Sequence, residues 1–137
     1  MTLHLIKLCV GVDRIDELAR FQRQRKKKLG RVVHWTTMMP KRVEELLDGG
    51  SLYWVIKGAV TVRQRLIGIE RVPNGPKRVA LVLSPRLVRT MPQPRRPHQG
   101  WRYLDPADAP ADLPARMKNA KGLPPKMLRE LAELGLL

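Results

Sequence analysis

Gly49-Gly50-Ser51-Leu52-Tyr53-Trp54-Val55-Ile56-Lys57-Gly58, with its continuation through Arg63-Gln64-Arg65, is the stretch on which the fold turns. Two adjacent glycines stop the helical pattern before them, as a left-handed C-cap does. Ser51 to Gly58 then reads as a strand, rich in β-branched and aromatic residues. Alternation puts Leu52, Trp54 and Ile56 on one face and Tyr53, Val55 and Lys57 on the other. Gly58 marks a turn. Beyond it Val60, Val62 and Leu66 are expected to share one face, with Arg63 and Arg65 opposite. A helix end followed by a central hairpin predicts an α+β fold.

Upstream, Leu3 to Val10 is apolar except for His4 and Lys7 and reads as a strand ended by Gly11. Asp13 is expected to cap a helix, with Asp16 at the capping-box position and Glu17 in the first turn. Ile15, Leu18, Ala19 and Phe21 form a short apolar stripe, after which the helix turns basic until Gly30. Arg31 to Thr37, containing Val32, Val33 and Trp35, predicts a second strand. Thr36 or Thr37 is expected to open a second helix with Pro40 in its first turn and Val43, Leu46 and Leu47 inward.

Downstream, the apolar positions change parity after Leu66, since Ile67 and Ile69 are odd-numbered, and Gly68 at the slip predicts a β-bulge. Pro73-Asn74-Gly75-Pro76 is a turn, and Val79 to Leu83 reads as a strand buried on both faces. Pro85 to Thr90 is expected as a short helical turn with Leu87 and Val88 inward, and Met91 to Pro97 as an extended loop. Gly100 to Leu104 closes the sheet, with Trp101 and Tyr103 on one face. Asp105 to Pro114 is an acidic loop. Residues 1–114 therefore form one domain, a curved mixed or mostly antiparallel sheet or partial barrel with two or three flanking helices. Residues 115–137 read as a linker and a short amphipathic helix carried by Met127, Leu128, Leu131 and Leu134, packed on the domain or extending from it.

The 137 residues carry a formal charge of +15. Such a surplus repels itself unless a polyanion screens it. No apolar run approaches the roughly 20 residues of a membrane span, and no secretory leader is evident. The single cysteine, Cys9, has no partner for an internal disulfide and is expected as a core thiol, which suits a reducing cytoplasm. RNA or single-stranded nucleic acid is the expected partner. The order of charges supports this: Leu18 to Val43 holds nine cations and no acid, and Arg71 to Leu104 holds eight cations and no acid. Segregation of that kind predicts a basic face.

The expected nucleic-acid contacts are Arg23, Arg25, Lys26, Lys27 and Lys28 on the first helix, Lys57, Arg63 and Arg65 on the hairpin, and Arg95, Arg96 and Arg102 near the closing strand. Tyr53, Trp101 and Tyr103 are the rings expected to stack on bases, while Trp54 belongs to the core. The proline-rich loop around Arg95 and Arg96 is also a candidate phosphate clamp, its stiffness limiting the entropy lost on binding. For catalysis the sequence is thin. His4, His34 and His98 lack metal-ligand spacing, and no phosphate-loop, dinucleotide or nucleophile-elbow motif is present. Asp105, Asp108 and Asp112 are the one set suited to magnesium, and Ser51, His98 and an aspartate the one conceivable triad. No cofactor, metal or catalytic residue is therefore expected.

The blocks Pro40-Lys41-Arg42, Gly49 to Gly58, Arg63-Gln64, Arg95-Arg96-Pro97-His98-Gln99-Gly100-Trp101-Arg102-Tyr103-Leu104 and Asp108-Ala109-Pro110 resemble an uncharacterised bacterial family of short basic proteins, a domain of unknown function. The resemblance spans nearly the whole chain and implies no activity; that family is expected to carry an aromatic where this chain has His98. A looser architectural similarity is to small RNA-binding barrels of the pseudouridine-synthase and archaeosine-transglycosylase type. The reading is thus a non-catalytic nucleic-acid binder. Its alternatives are an enzyme acting on nucleic acid or a small phosphorylated substrate through His98 or the Asp105–Asp112 loop, and a ribosome-associated or structural protein docking through Met127 to Leu134.

Overall fold

A computed structural model describes residues 1–72 and 78–114, so the turn expected at 73–76 and the linker and helix expected within 115–137 lie outside the described residues. The elements run in the order β1 (His4–Leu8), α1 (Ile15–Leu29), β2 (Val32–Thr36), α2 (Val43–Leu47), β3 (Ser51–Ile56), β4 (Ala59–Val72), β5 (Arg78–Leu83), β6 (Val88–Pro94) and β7 (Trp101–Leu104). Among the described residues they make the expected α+β architecture: one seven-stranded mixed sheet with two α-helices. Strand order is β2-β5-β4-β3-β1-β7, with β6 paired to β4. Only β1 and β3 run parallel; every other pairing is antiparallel.

The long strand β4 is the hinge of the sheet. Its first half pairs with β3 on one edge, and the Leu66 amide still points that way, to the Gly50 carbonyl at 2.9 Å. The Arg65 carbonyl points the other way and accepts the Ser84 amide at 2.9 Å. β5 and β6 therefore lie end to end along the edge of β4 opposite β3. Bulges bend β4 at two places, between Val60 and Val62 and between Leu66 and Gly68. The second is the bulge expected at Gly68. Bulging increases local twist, and the consequence is visible in the packing: the His34 ring on β2 meets the Trp54 ring on β3 at 5.0 Å, edge to face, across two intervening strands. The sheet curls strongly but stays open, because β2 and β7 end the order without pairing. The likeness to small barrels ends at curvature.

The first bulge corrects one expectation. Thr61 is the extra residue, so Val60 moves to the face of Tyr53 and Val55, while Val62 and Leu66 stay opposite it. A second correction concerns the segment after Ser84. It forms strand β6, not a helical turn followed by a loop, because Pro92 and Pro94 lie on a strand with only short pairing on its outer side, a single bridge from Thr90 to Asp112. Proline's missing N–H is tolerated there.

Local chemistry explains the helix ends. α1 begins one residue later than expected: Arg14 is its N-cap, Asp13 does not cap it with a side chain, and Glu17 reaches back past the cap to accept the Asp13 amide at 3.3 Å. Asp16 instead pairs with Arg14 at 3.2 Å. Gly30 closes the helix in the left-handed region. α2 is shorter than expected, since Thr36 ends β2 and Thr37 to Arg42 forms a loop held elsewhere. At its end the two glycines divide the work. Gly49 takes the left-handed conformation, whereas Gly50 leaves room for backbone, because a Cβ there would sit 2.2 Å from the Leu3 carbonyl oxygen.

The main core lies between the curled sheet and α1, built from Leu5, Leu52, Trp54, Ile56, Val62, Leu66, Leu81 and Leu83 with Ile15, Leu18 and Leu46. A smaller cluster of Ile6, Tyr53, Val55, Val60 and Leu104 fills the opposite face, under the Asp105–Pro114 segment. One polar knot crosses the main core. Gln64 is fully buried, and its amide exchanges two hydrogen bonds of 2.7 Å with Gln22 of α1. Its oxygen also accepts the Trp54 indole N–H at 2.9 Å, and its nitrogen also donates to the Ser84 carbonyl at 3.0 Å. All four bonds a primary amide can make are made.

Candidate nucleic-acid interface

On α1 the inward positions are Ile15, Leu18 and Gln22, which leaves Arg20, Arg23, Lys26, Lys27 and Lys28 pointing to solvent. Spacings of three and four residues place side chains over one another on a helix. None of these cations pairs with a carboxylate among the described residues; just past the helix, Arg31 holds Glu70 in a two-pronged contact of 2.8 and 3.1 Å. Arg20 lies 5.7 Å over the Phe21 ring, which is 40% exposed. Part of this charge suits a helix C-terminus. The rest forms a cationic face from Arg20 to Lys28 with no carboxylate partner among the described residues.

Arg25 differs from its neighbours. Although exposed, it lies three residues beyond Gln22 and overhangs a cavity of 220 Å³ beneath the helix. Lys7 and Cys9 on and beside β1, His34 on β2, and the Trp54 ring wall this cavity. Burial pushes the Cys9 thiol up to about 11, against the pull of Lys7 and Arg25, so it stays protonated and is no nucleophile at neutral pH. Burial likewise holds His34 down at about 4, with Lys7 and Arg25 acting in the same sense. Lys7 is itself lowered by burial.

The hairpin residues are arranged differently from expectation. Arg63 and Arg65 do share the face of Tyr53, opposite Tyr53 and Ser51 respectively in the register. That face, however, is roofed. Tyr53 is 5% exposed and belongs to the second core cluster, so its expected surface position is corrected: the Asp105–Pro114 segment covers it, with Ala109 packed on the cluster. Arg63 grips Asp112 through Nε at 2.7 Å and Nη2 at 2.8 Å, and donates to Ser51 Oγ at 3.0 Å. This contact holds its guanidinium firmly charged. His4 accepts the Ser51 amide through Nδ1 at 3.0 Å and stacks edge-on against Tyr53; burial, then Arg63, lowers its pKa. Ser51 Oγ therefore faces an arginine and not a base, and its neighbouring histidine is His4. A triad is not assembled there.

Lys57 sits at the tip of the hairpin with φ of 50°, beside Gly58 at 77°, the two left-handed residues of a tight two-residue turn. The Arg95 amide donates to the Gly58 carbonyl at 2.8 Å, which brings Lys57 and Arg95 to the same end of the sheet, with Arg96 next in the chain. Arg65 and Arg102 are exposed. Trp101 and Tyr103 share a face as expected, but their register with Lys7 and Leu5 puts it opposite that of Arg63 and Arg65. Trp101 donates its indole N–H to the Met38 carbonyl at 2.9 Å, and the Tyr103 hydroxyl accepts the amides of Lys41 and Arg42 at 3.0 and 3.3 Å. Both rings thus anchor the loop before α2, although Tyr103 remains 37% exposed. His98 lies in the β6–β7 loop, its pKa lowered by burial and then by Arg102. Among the described residues no three His, Cys, Asp or Glu side chains gather into a metal site.

The expected contact residues therefore separate into an α1 group, a hairpin-tip group and two groups on opposite sheet faces. Sequence reasoning missed Lys7 and His34 as site residues. The signal was present: each is a polar residue at an inward position of an apolar strand. The chain belongs to a family of proteins of unknown function, DUF1489, whose model matches residues 5–137. No curated protein and no solved structure matches it.

Proposed function

We propose that this member of the DUF1489 family binds RNA or single-stranded nucleic acid without catalysing a reaction, with the outer face of α1 as its main phosphate-contacting surface. The observation that carries the reading is the set of α1 cations that have no carboxylate partner among the described residues, in a chain of net charge +15. A cationic row on a rigid helix meets phosphates at little entropic cost and releases their counterions. Lys57, Arg95 and Arg96 form a second basic group at the hairpin end, with Arg65 and Arg102 also open to solvent. Stacking falls to exposed rings, Phe21 and Tyr103 before the buried Tyr53. Affinity by charge with little ring stacking predicts weak sequence preference.

The triple variant Arg23→Glu, Lys26→Glu, Lys27→Glu tests the assignment, because all three side chains are exposed and the fold does not use them. The expected result is a loss of roughly a hundredfold or more in affinity for a single-stranded RNA at moderate salt, with circular dichroism unchanged. Unchanged affinity overturns the assignment to α1. Crosslinking in cells followed by sequencing then separates free RNA from ribosomal RNA as the partner.

A further inference from the structure

Three polar side chains, Gln22, Lys7 and His34, occupy core-facing positions where the pattern of this fold calls for apolar ones, and the exposed Arg25 stands beside them at the rim of the cavity. On α1 the inward stripe Ile15, Leu18 ends on Gln22, and the exposed Arg25, three residues on, lines the cavity from its rim. On β1 the inward series Leu5, Lys7, Cys9 places a lysine opposite Trp54. On β2 the inward series Val32, His34 places a histidine against the same ring. Gln64 apart, the other core-facing positions of the sheet keep their apolar pattern, and breaks gathered in one place mark a site more often than an error. Gln22 is accounted for by Gln64. Lys7, His34 and Arg25 converge on the cavity of 220 Å³ under the helix.

We propose that this cavity binds a phosphate monoester group, the chemistry shared by the phosphorylated end of a nucleic-acid strand and by free inorganic phosphate. The strand-end version rests on the nucleic-acid reading above. Size limits the occupant: the cavity is smaller than the roughly 300–1,000 Å³ that enclose drug-sized ligands, and larger than the ~30 Å³ share of one water. Among the described residues its walls carry Lys7 and Arg25 and no carboxylate. Cys9 adds no negative charge because it remains a thiol. Arg25 supplies a planar fork that matches two phosphate oxygens, and Lys7 a point charge. His34 Nε2 is buried with no hydrogen-bond partner. A neutral imidazole carrying its proton on Nε2 donates to an entering phosphate oxygen and loses that deficit. The remaining polar walls, Trp54 and Gln22, are already committed to Gln64, so they shape the cavity and do not compete for the ligand.

Fluorescence anisotropy with one short RNA sequence, carrying a 5′-phosphate, a 3′-phosphate or hydroxyls at both ends, tests this, with inorganic phosphate as competitor. One phosphorylated end is expected to bind at least about tenfold tighter than the hydroxyl-ended strand, the effect of a further charge-assisted contact. Inorganic phosphate removes that difference without displacing the hydroxyl-ended strand. Both Lys7→Gln and, on the exposed helix, Arg25→Gln reduce the ratio between the two strands towards one. Equal affinities for all three strands overturn the phosphate site and leave the α1 reading standing. If no strand binds, yet inorganic phosphate shifts the His34 ring resonances in the native protein and not in Lys7→Gln, the site takes free phosphate and the nucleic-acid reading falls. If no strand binds and phosphate shifts nothing, both fall.

Discussion

Gln64 shows at the scale of one residue how this chain specifies its core. A buried amide is costly unless every donor and acceptor is matched, and here each one is, by Gln22, Trp54 and Ser84. Removing it strands Gln22 and the indole N–H. Gln64→Leu is expected to lose about 2–4 kcal/mol in urea denaturation, while the double variant with Gln22→Leu recovers part of that loss, because the stranded partner is gone. His34 gives a second prediction, in pH. Its folded pKa, about 4, lies below the ordinary value of 6.5, so the unfolded chain takes up a proton first as pH falls. The contribution is present above pH 6.5 and is lost progressively towards pH 4, up to about 3 kcal/mol. His4 shifts the same way, so the expected result is a smaller acid loss in His34→Gln than in the native protein. Equal losses in the two proteins contradict the assignment.

At the scale of elements, the segment from Asp105 to Pro114 behaves as a roof, with the contact between Arg63 and Asp112 as its clasp. Arg63 holds Asp112 with two short bonds, and the Met91 and Leu113 amides complete the seam at 2.8 and 2.9 Å to Ala111 and Arg89. The clasp is partly exposed, so Asp112→Asn is expected to lower global stability by only about 1 kcal/mol. Hydrogen exchange is the sharper test: the Met91 and Leu113 amides should exchange faster while the β3 and β4 amides do not. Much of this element plan was legible in the chain. Alternation located β3, the parity change located the bulge at Gly68, and Trp54 was placed in the core. What alternation cannot carry is a second bulge without a glycine, at Thr61, or a roof supplied from fifty residues away. Tyr53 looked like a surface ring for that reason. Prolines misdirected the reading of β6, because a strand edge tolerates what a strand centre does not.

The whole molecule is governed by its charge. Fixing so many cations on one compact chain is unfavourable at low ionic strength. The proposed site was legible as charge order along the sequence; its division among separate surfaces was not, since that depends on how β4 bends. The cavity under α1 was hidden for the same reason, because Lys7 and His34 meet only once the sheet curls. The central claim is that the α1 cations meet phosphates, and salt dependence reads it most directly. Affinity for a single-stranded RNA, measured over a range of salt concentrations, is expected to fall linearly on logarithmic axes with a slope of about −3 to −4, as for five neutralised phosphates. Each α1 cation changed to Gln should make that slope shallower by about 0.7. A slope near zero, or one unmoved by the α1 substitutions, contradicts the account.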